Sequence, residues 1–246
     1  MLPHFDLDTI KFGTDPQTFE RAIALYESGK VTHYEDDAYG CSAIVVGTHP
    51  YRVFVDARHY DRGQCDCYLG QKDVLCKHMV AVAIQAVTLG EPLSDKEKKR
   101  VDEVVCSGKI GELTKEHLAS VKKSIAGAIR YIKAYTGPSR KWFIYQSSLC
   151  EGVHRLAAII CELPVSKQTA KLLIDLLLRL DHKLQFGTDD SDGTVGSFIY
   201  EVVALLEEYV GYDPKCAEAF RSLIGKETCF EWEEPLVRYL DEGRFR

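Results

Sequence analysis

Asparagine is absent from all 246 residues, so the chain holds no Asn-x-Ser/Thr acceptor for N-glycosylation. No apolar run reaches the roughly 20 residues that a membrane-spanning helix needs. The start, Met1-Leu-Pro-His-Phe-Asp, lacks the basic region and apolar stretch of a secretory signal. These absences point to an intracellular, cytoplasmic chain without a membrane partner. Three catalytic signatures are missing as well: a Gly-x-x-x-x-Gly-Lys-Ser/Thr phosphate loop, a Gly-x-Ser-x-Gly nucleophile elbow and a His-Glu-x-x-His zinc helix. With 46% hydrophobic and 28% charged residues the chain is neither disordered nor fibrous, and it is long enough for one or two domains with real cores. Cysteine is plentiful, at nine. In a reducing compartment such thiols stay unpaired and available for metal.

The net charge of −6 hides an uneven distribution. Residues 1–93 carry 8 Lys and Arg against 13 Asp and Glu, residues 94–141 carry 12 against 6, and residues 142–246 carry 11 against 18. Binding to a phosphate backbone draws on clustered cations, so an acidic chain argues for a protein partner. The middle segment is the candidate DNA patch, through Lys98, Lys99, Lys122 and Lys123, with Lys96, Arg100, Arg130, Lys133, Arg140 and Lys141 adding charge. A solvated helical face beside a linker is the plainer account of the same residues.

Phe19, Ala22, Ile23 and Tyr26 recur at helical spacing from Pro16 until Gly29 ends the pattern. Three stretches rich in β-branched and aromatic residues follow, at 31–35, 39–46 and 51–56, which predicts an antiparallel meander. A buried helix runs from Met79 to Leu89, closed by Gly90 and Pro92. Ser94 and Glu97 stand in capping-box relation within a polar stretch. Helical patterns then cover 115–135, 149–161, 166–184, 195–210, 214–224 and 232–240. The fold class expected is α+β: a small antiparallel β-meander domain with flanking helices over 1–92, a linker with a short helix over 93–114, and a helical bundle or solenoid-like domain over 115–246.

Cys65-Asp-Cys67 and Cys76-Lys-His78 are separated by eight residues. Three thiolates and an imidazole suit the tetrahedral preference of one structural zinc ion. Alternate residues of an extended segment point the same way, so Cys65 and Cys67 can face one ion. On a helix, residues two apart diverge by roughly 200°, so Cys76 must precede the helix and His78 fall in its first turn. The helix N-terminus then favours the Cys76 thiolate. His59, Asp66 and Asp73 are expected to face solvent or to hydrogen-bond the ligands, since His78 needs a partner for its second ring nitrogen. Cys41, Cys106, Cys150, Cys161, Cys216 and Cys229 each stand singly in apolar patterns and are expected to be core thiols.

With these residues in view, the chain resembles the SWIM zinc finger family, marked by Cys-x-Cys, a variable gap and Cys-x-His between a β-meander and a helix. The segments Tyr26-Glu-Ser-Gly-Lys-Val31, Val46-Gly-Thr-His-Pro-Tyr51, Val53-Phe-Val55 and Cys76-Lys-His-Met-Val-Ala81 carry the likeness, over roughly residues 16–90. The resemblance implies that Cys65, Cys67, Cys76 and His78 are the zinc ligands. The string Asp-Asp-Ser-Asp-Gly-Thr-Val-Gly196 is similar to one in helical regions beside some bacterial SWIM proteins, which suggests a bacterial stand-alone member. SWIM fingers accompany Swi/Snf-type ATPases, Mutator-type transposases and ubiquitin-ligase domains, whose catalytic motifs this chain lacks.

Thr188-Asp-Asp-Ser-Asp-Gly193 fails as a calcium loop, because its twelfth position is Ile199 where a bidentate Glu is required. It reads instead as a helix N-terminus with acidic residues complementing the helix dipole. The function expected is a non-catalytic zinc-binding module for protein, and for DNA through the middle segment. The alternative is a hydrolase or nuclease using Glu207, Glu208, Asp189 and Asp192 in the helical part.

Overall fold

The computed structural model describes residues 3–101, 103–138 and 142–241. The chain divides into two compact units, Met1–Arg100 and Val101–Arg246. The α+β class is observed: a four-stranded antiparallel sheet lies in the first unit and helices fill the second. No helix among the described residues is long and apolar enough to cross a membrane.

In the first unit, α1 (Leu7–Gly13) and α2 (Pro16–Glu27) are both capped by aspartates. Asp6 accepts the Thr9 amide at 2.7 Å and Asp15 accepts the Thr18 amide at 2.9 Å. The strands β1 (Val31–Asp36), β2 (Gly40–Val46), β3 (Pro50–Asp56) and β4 (Gly63–Cys65) pair in that order. The pairing of β2 with β3 runs unbroken from Gly40 opposite Asp56 to Val46 opposite Pro50. Cys41, Ala43 and Val45 on β2 and Val53 and Val55 on β3 are buried, as the two-residue period of a strand requires. A bulge interrupts β1 between Thr32 and Glu35, with His33 at a φ of 50°. α3 (Lys77–Thr88) packs on β2, β3 and α2, which is why Met79 to Ile84 are all buried.

Two elements of this unit escape the sequence patterns. α1 is too short for a helical period, and β4 has only three residues, with apolar character confined to Cys65. The segment expected to link the domains is not uniform. α4 (Asp95–Lys98) has the Ser94–Glu97 capping box, and the chain around it is bound to the first unit. The Lys11 ammonium donates to the Lys96 carbonyl at 3.0 Å, and Arg100 donates to the carbonyls of Lys11 and Thr14. Further on, the chain lies along residues 163–165 of the second unit: Val165 donates to the Lys109 carbonyl at 2.7 Å, and Ser107 to that of Leu163.

The second unit contains α5 (Lys115–Ile129), α6 (Trp142–Ile160), α7 (Lys167–Gln185), α8 (Thr194–Tyr212) and α9 (Glu234–Asp241). α5 packs on α6, α6 on α8 and α8 on α7, around a core that includes Leu149, Leu173, Phe198 and Trp232. Residues Pro214–Leu223 form a 3-10 helix where the sequence suggests an α-helix. The buried side chains explain it: Ala217, Phe220 and Leu223 repeat every third residue, as do Cys216 and Ala219, matching three residues per turn. Helix α5 ends six residues before the expected Tyr135, because Tyr135 turns away to donate its amide to Gly187 at 2.9 Å.

Candidate metal centre

Register places the first ligand. Val53 on β3 opposes Cys65, the last residue of β4, and the chain then leaves the sheet through Cys67 into a 3-10 turn, Gly70–Lys72. That turn folds tightly over Cys65: a Cβ on Gly70 would sit 2.2 Å from the Cys65 carbonyl oxygen, so no larger residue fits without movement. The Gly70 amide donates to the Cys67 sulfur at 3.4 Å, and the Gln71 amide donates to the Cys67 carbonyl at 2.9 Å. Asp66, between the two cysteines, accepts the Arg52 amide at 3.0 Å and ties the loop to β3.

The second ligand pair is set by a helix start. Cys76 is the N-cap of α3, with an extended backbone, and His78 lies in the first turn. All four side chains are buried, and their ligand atoms lie within 4.8 Å of one another. The His78 Nδ1 is 3.7 Å from the Cys65 sulfur and 3.9 Å from the Cys76 sulfur, so Nδ1 faces the thiols. Nε2 points away, buried and with no hydrogen-bond partner. The Tyr51 ring stacks on the imidazole, centroids 4.4 Å apart and planes 25° apart, and Gly47 approaches Nε2 so closely that a Cβ there would lie 3.3 Å from it.

The electrostatics favour a cation. The hydrogen bond from Cys65 holds the Cys76 thiol far below its ordinary value, against the opposing effect of burial. His78 and the Met79 amide lower it further. The same contact with Cys76, followed by burial, pushes Cys65 upward. Three thiolates gathered beside a neutral imidazole in an apolar site would repel one another, and a divalent cation removes that repulsion. The residues therefore fit one structural zinc ion, held by Cys65, Cys67, Cys76 and His78. Four protein donors leave no coordination position for water or substrate.

His59, Asp66 and Asp73 are exposed, in line with the solvent-facing expectation, and the partner expected for the second His78 nitrogen is not among them. Asp66 serves the Arg52 amide, Asp73 takes a left-handed backbone at the end of the 3-10 turn, and the His59 amide donates to Asp56. None of the three meets Nε2, whose surroundings are aromatic and backbone. Tyr51 carries no polar-ligand signature, so sequence spacing could not single it out as the plate covering His78.

Of the six cysteines expected as core thiols, Cys41 and Cys216 are buried, while Cys106, Cys150, Cys161 and Cys229 are partly exposed. Their apolar sequence context overstates burial: Cys161 and Cys229 sit at element ends, Cys106 lies between elements, and Cys150 lies within α6. Cys161 follows α6 and accepts the Val105 amide at 3.2 Å; Cys150 lies 3.5 Å from the His154 Nδ1 one turn along α6. The acidic loop before α8 is a capping device. Asp190 accepts the amides of Val195 and Gly196 at 2.7 and 2.8 Å, and Asp192 accepts that of Thr194.

Glu207, Glu208, Asp189 and Asp192 are not brought together. Asp189 and Asp192 precede α8, whereas Glu207 and Glu208 lie about 20 Å along it at 1.5 Å per residue. Asp189 accepts from Ser191 and from the Trp142 indole, and the Ser191 contact holds its carboxyl below the usual range. Lys98 is paired with Glu27 at 2.5 Å, Lys99, Lys122 and Lys123 are exposed, and Arg140 and Lys141 lie outside the described residues. Among the described residues, the Cys65, Cys67, Cys76 and His78 group stands as the metal-ligating cluster.

Residues 51–86, from β3 through most of α3, match the SWIM zinc finger family. No curated protein and no solved structure matches the chain.

Proposed function

Starting from a SWIM zinc finger at residues 51–86, we propose that the chain is a non-catalytic adaptor in which zinc holds a protein-recognition surface. One observation carries this reading: the loop between the ligand pairs displays Tyr68, Leu69 and Val74, with 71%, 42% and 47% of their surfaces exposed. Apolar side chains on a metal-fixed loop suit a protein partner, since ordering them in advance lowers the entropy lost on binding. Buried, closed coordination supports a structural ion over a catalytic one. The acidic net charge supports protein over nucleic acid, and Lys98 is already paired with Glu27.

DNA binding, where present, is weak and depends on Lys98, Lys99, Lys122 and Lys123. Titrating a labelled duplex at physiological salt tests this, with the four lysines changed to Glu in parallel. Weak binding abolished by the changes is the expected result. Tight binding that survives them would move DNA recognition to the zinc unit and overturn the adaptor reading. Chemical crosslinking in cells, compared between the wild type and a Tyr68→Ala/Leu69→Ala variant that retains zinc, identifies partners that need the loop.

A further inference from the structure

In the second unit, the turn between the 3-10 helix and α9 holds a bulky, largely exposed residue in a costly conformation. Phe230 and Glu231 have φ angles of 63° and 55°, two successive non-glycine residues in the left-handed region. Such positions suit glycine, and for a bulky side chain they are genuine outliers. The turn is nevertheless tightly held. Buried Asp181 accepts both the Cys229 amide, at 2.7 Å, and the Trp232 indole, at 3.0 Å. From α8, the Tyr200 hydroxyl donates to the Phe230 carbonyl at 2.8 Å. The ring that this strain supports is 66% exposed, and Tyr200 beside it is 48% exposed. Packing therefore does not explain why a phenylalanine stands there.

The surrounding charge selects an occupant. The turn segment 227–234 carries Glu227, Glu231, Glu233 and Glu234 and no Lys or Arg. Glu227 and Glu231 flank Phe230 and are exposed. The first turn of α8, where Gly196 faces the Phe230 ring edge, carries Asp190 on its amides. We infer that Phe230 and Tyr200 form a docking point for an arginine-bearing peptide segment of a protein partner, with the guanidinium plane stacked on the aromatic rings and paired with Glu231 and Glu227. Arginine fits better than lysine because its planar, weakly hydrated cation both stacks on a ring and donates to a carboxylate. This turn belongs to the second unit and the zinc-held loop to the first, so either reading can fail without the other.

The test uses the full zinc-loaded chain and a fluorescein-labelled Gly-Arg nonapeptide, with the matching Gly-Lys peptide as comparison, followed by anisotropy at physiological salt. The Arg peptide is expected to bind at least about threefold more tightly than the Lys peptide. Phe230→Gly is expected to weaken Arg-peptide binding about tenfold or more while raising the melting temperature, because glycine relieves the left-handed strain. Glu231→Gln should weaken binding severalfold and flatten its salt dependence. Three results would each overturn the inference: no Arg-peptide binding, wild-type binding by Phe230→Gly, or a lowered melting temperature in that variant, which would make Phe230 a structural residue.

Discussion

Removing zinc should unfold the first unit and spare the second. The ligands come from opposite ends of the domain's fabric: Cys65 closes the β3–β4 pairing, Cys67 starts the loop, and Cys76 and His78 open α3. α3 is the element on which β2, β3 and α2 all pack, so releasing its first turn exposes core residues directly. Structural zinc sites supply about 10–16 kcal/mol at neutral pH, whereas a unit of this size has a net stability of about 5–15 kcal/mol. Losing the ion therefore removes an amount comparable to the whole folding free energy. The second unit has its own core and none of the ligands. Helices α1 to α4 hold just under a third of the described α-helical residues, so chelation should reduce the 222 nm circular dichroism by about that fraction. Hydrogen exchange should then show protection lost in α3 and kept in α7 and α8. Unchanged protection of α3 after verified zinc loss, or loss of both units together, would refute the reasoning.

Three further outcomes follow from individual contacts. Gly70→Ala should lower zinc affinity at least about tenfold in a chelator competition, because its Cβ would meet the Cys65 carbonyl at 2.2 Å and displace the ligand. Asp15→Ala should cost about 1 kcal/mol in urea denaturation through loss of the α2 cap. Burial raises the Asp15 carboxyl, but hydrogen bonds from Thr18 and Gln17 outweigh it and hold it below the ordinary value. With a depressed folded-state value, its contribution is present at neutral pH and fades as the pH falls from about 4 through the folded value. Asp181→Ala should destabilise the second unit by about 2–4 kcal/mol in thermal or urea unfolding, because the Cys229 amide and the buried Trp232 indole both lose their acceptor.

What the sequence alone determined was whatever local spacing controls. Two residues within each ligand pair, a helix that must begin after Cys76, and strands with alternating burial are all consequences of backbone period, so Cys65, Cys67, Cys76 and His78 were legible before any fold was known. The core of the helical unit was legible for the same reason. Tertiary structure decided everything that depends on which segments meet. β4 exists because Gly63 to Cys65 find β3 as a partner, not because three residues have strand character. The tilt of His78 that presents Nδ1 to the thiols is set by Tyr51 stacking on its ring, from a strand 27 positions earlier in the chain. The left-handed turn at Phe230 is stabilised by Asp181 and Tyr200, residues of two other helices, and local propensity opposes it. Short-range patterns encode period and direction, but a conformation that is locally unfavourable persists only where distant groups supply the compensating contacts, and those are visible only once the chain has folded.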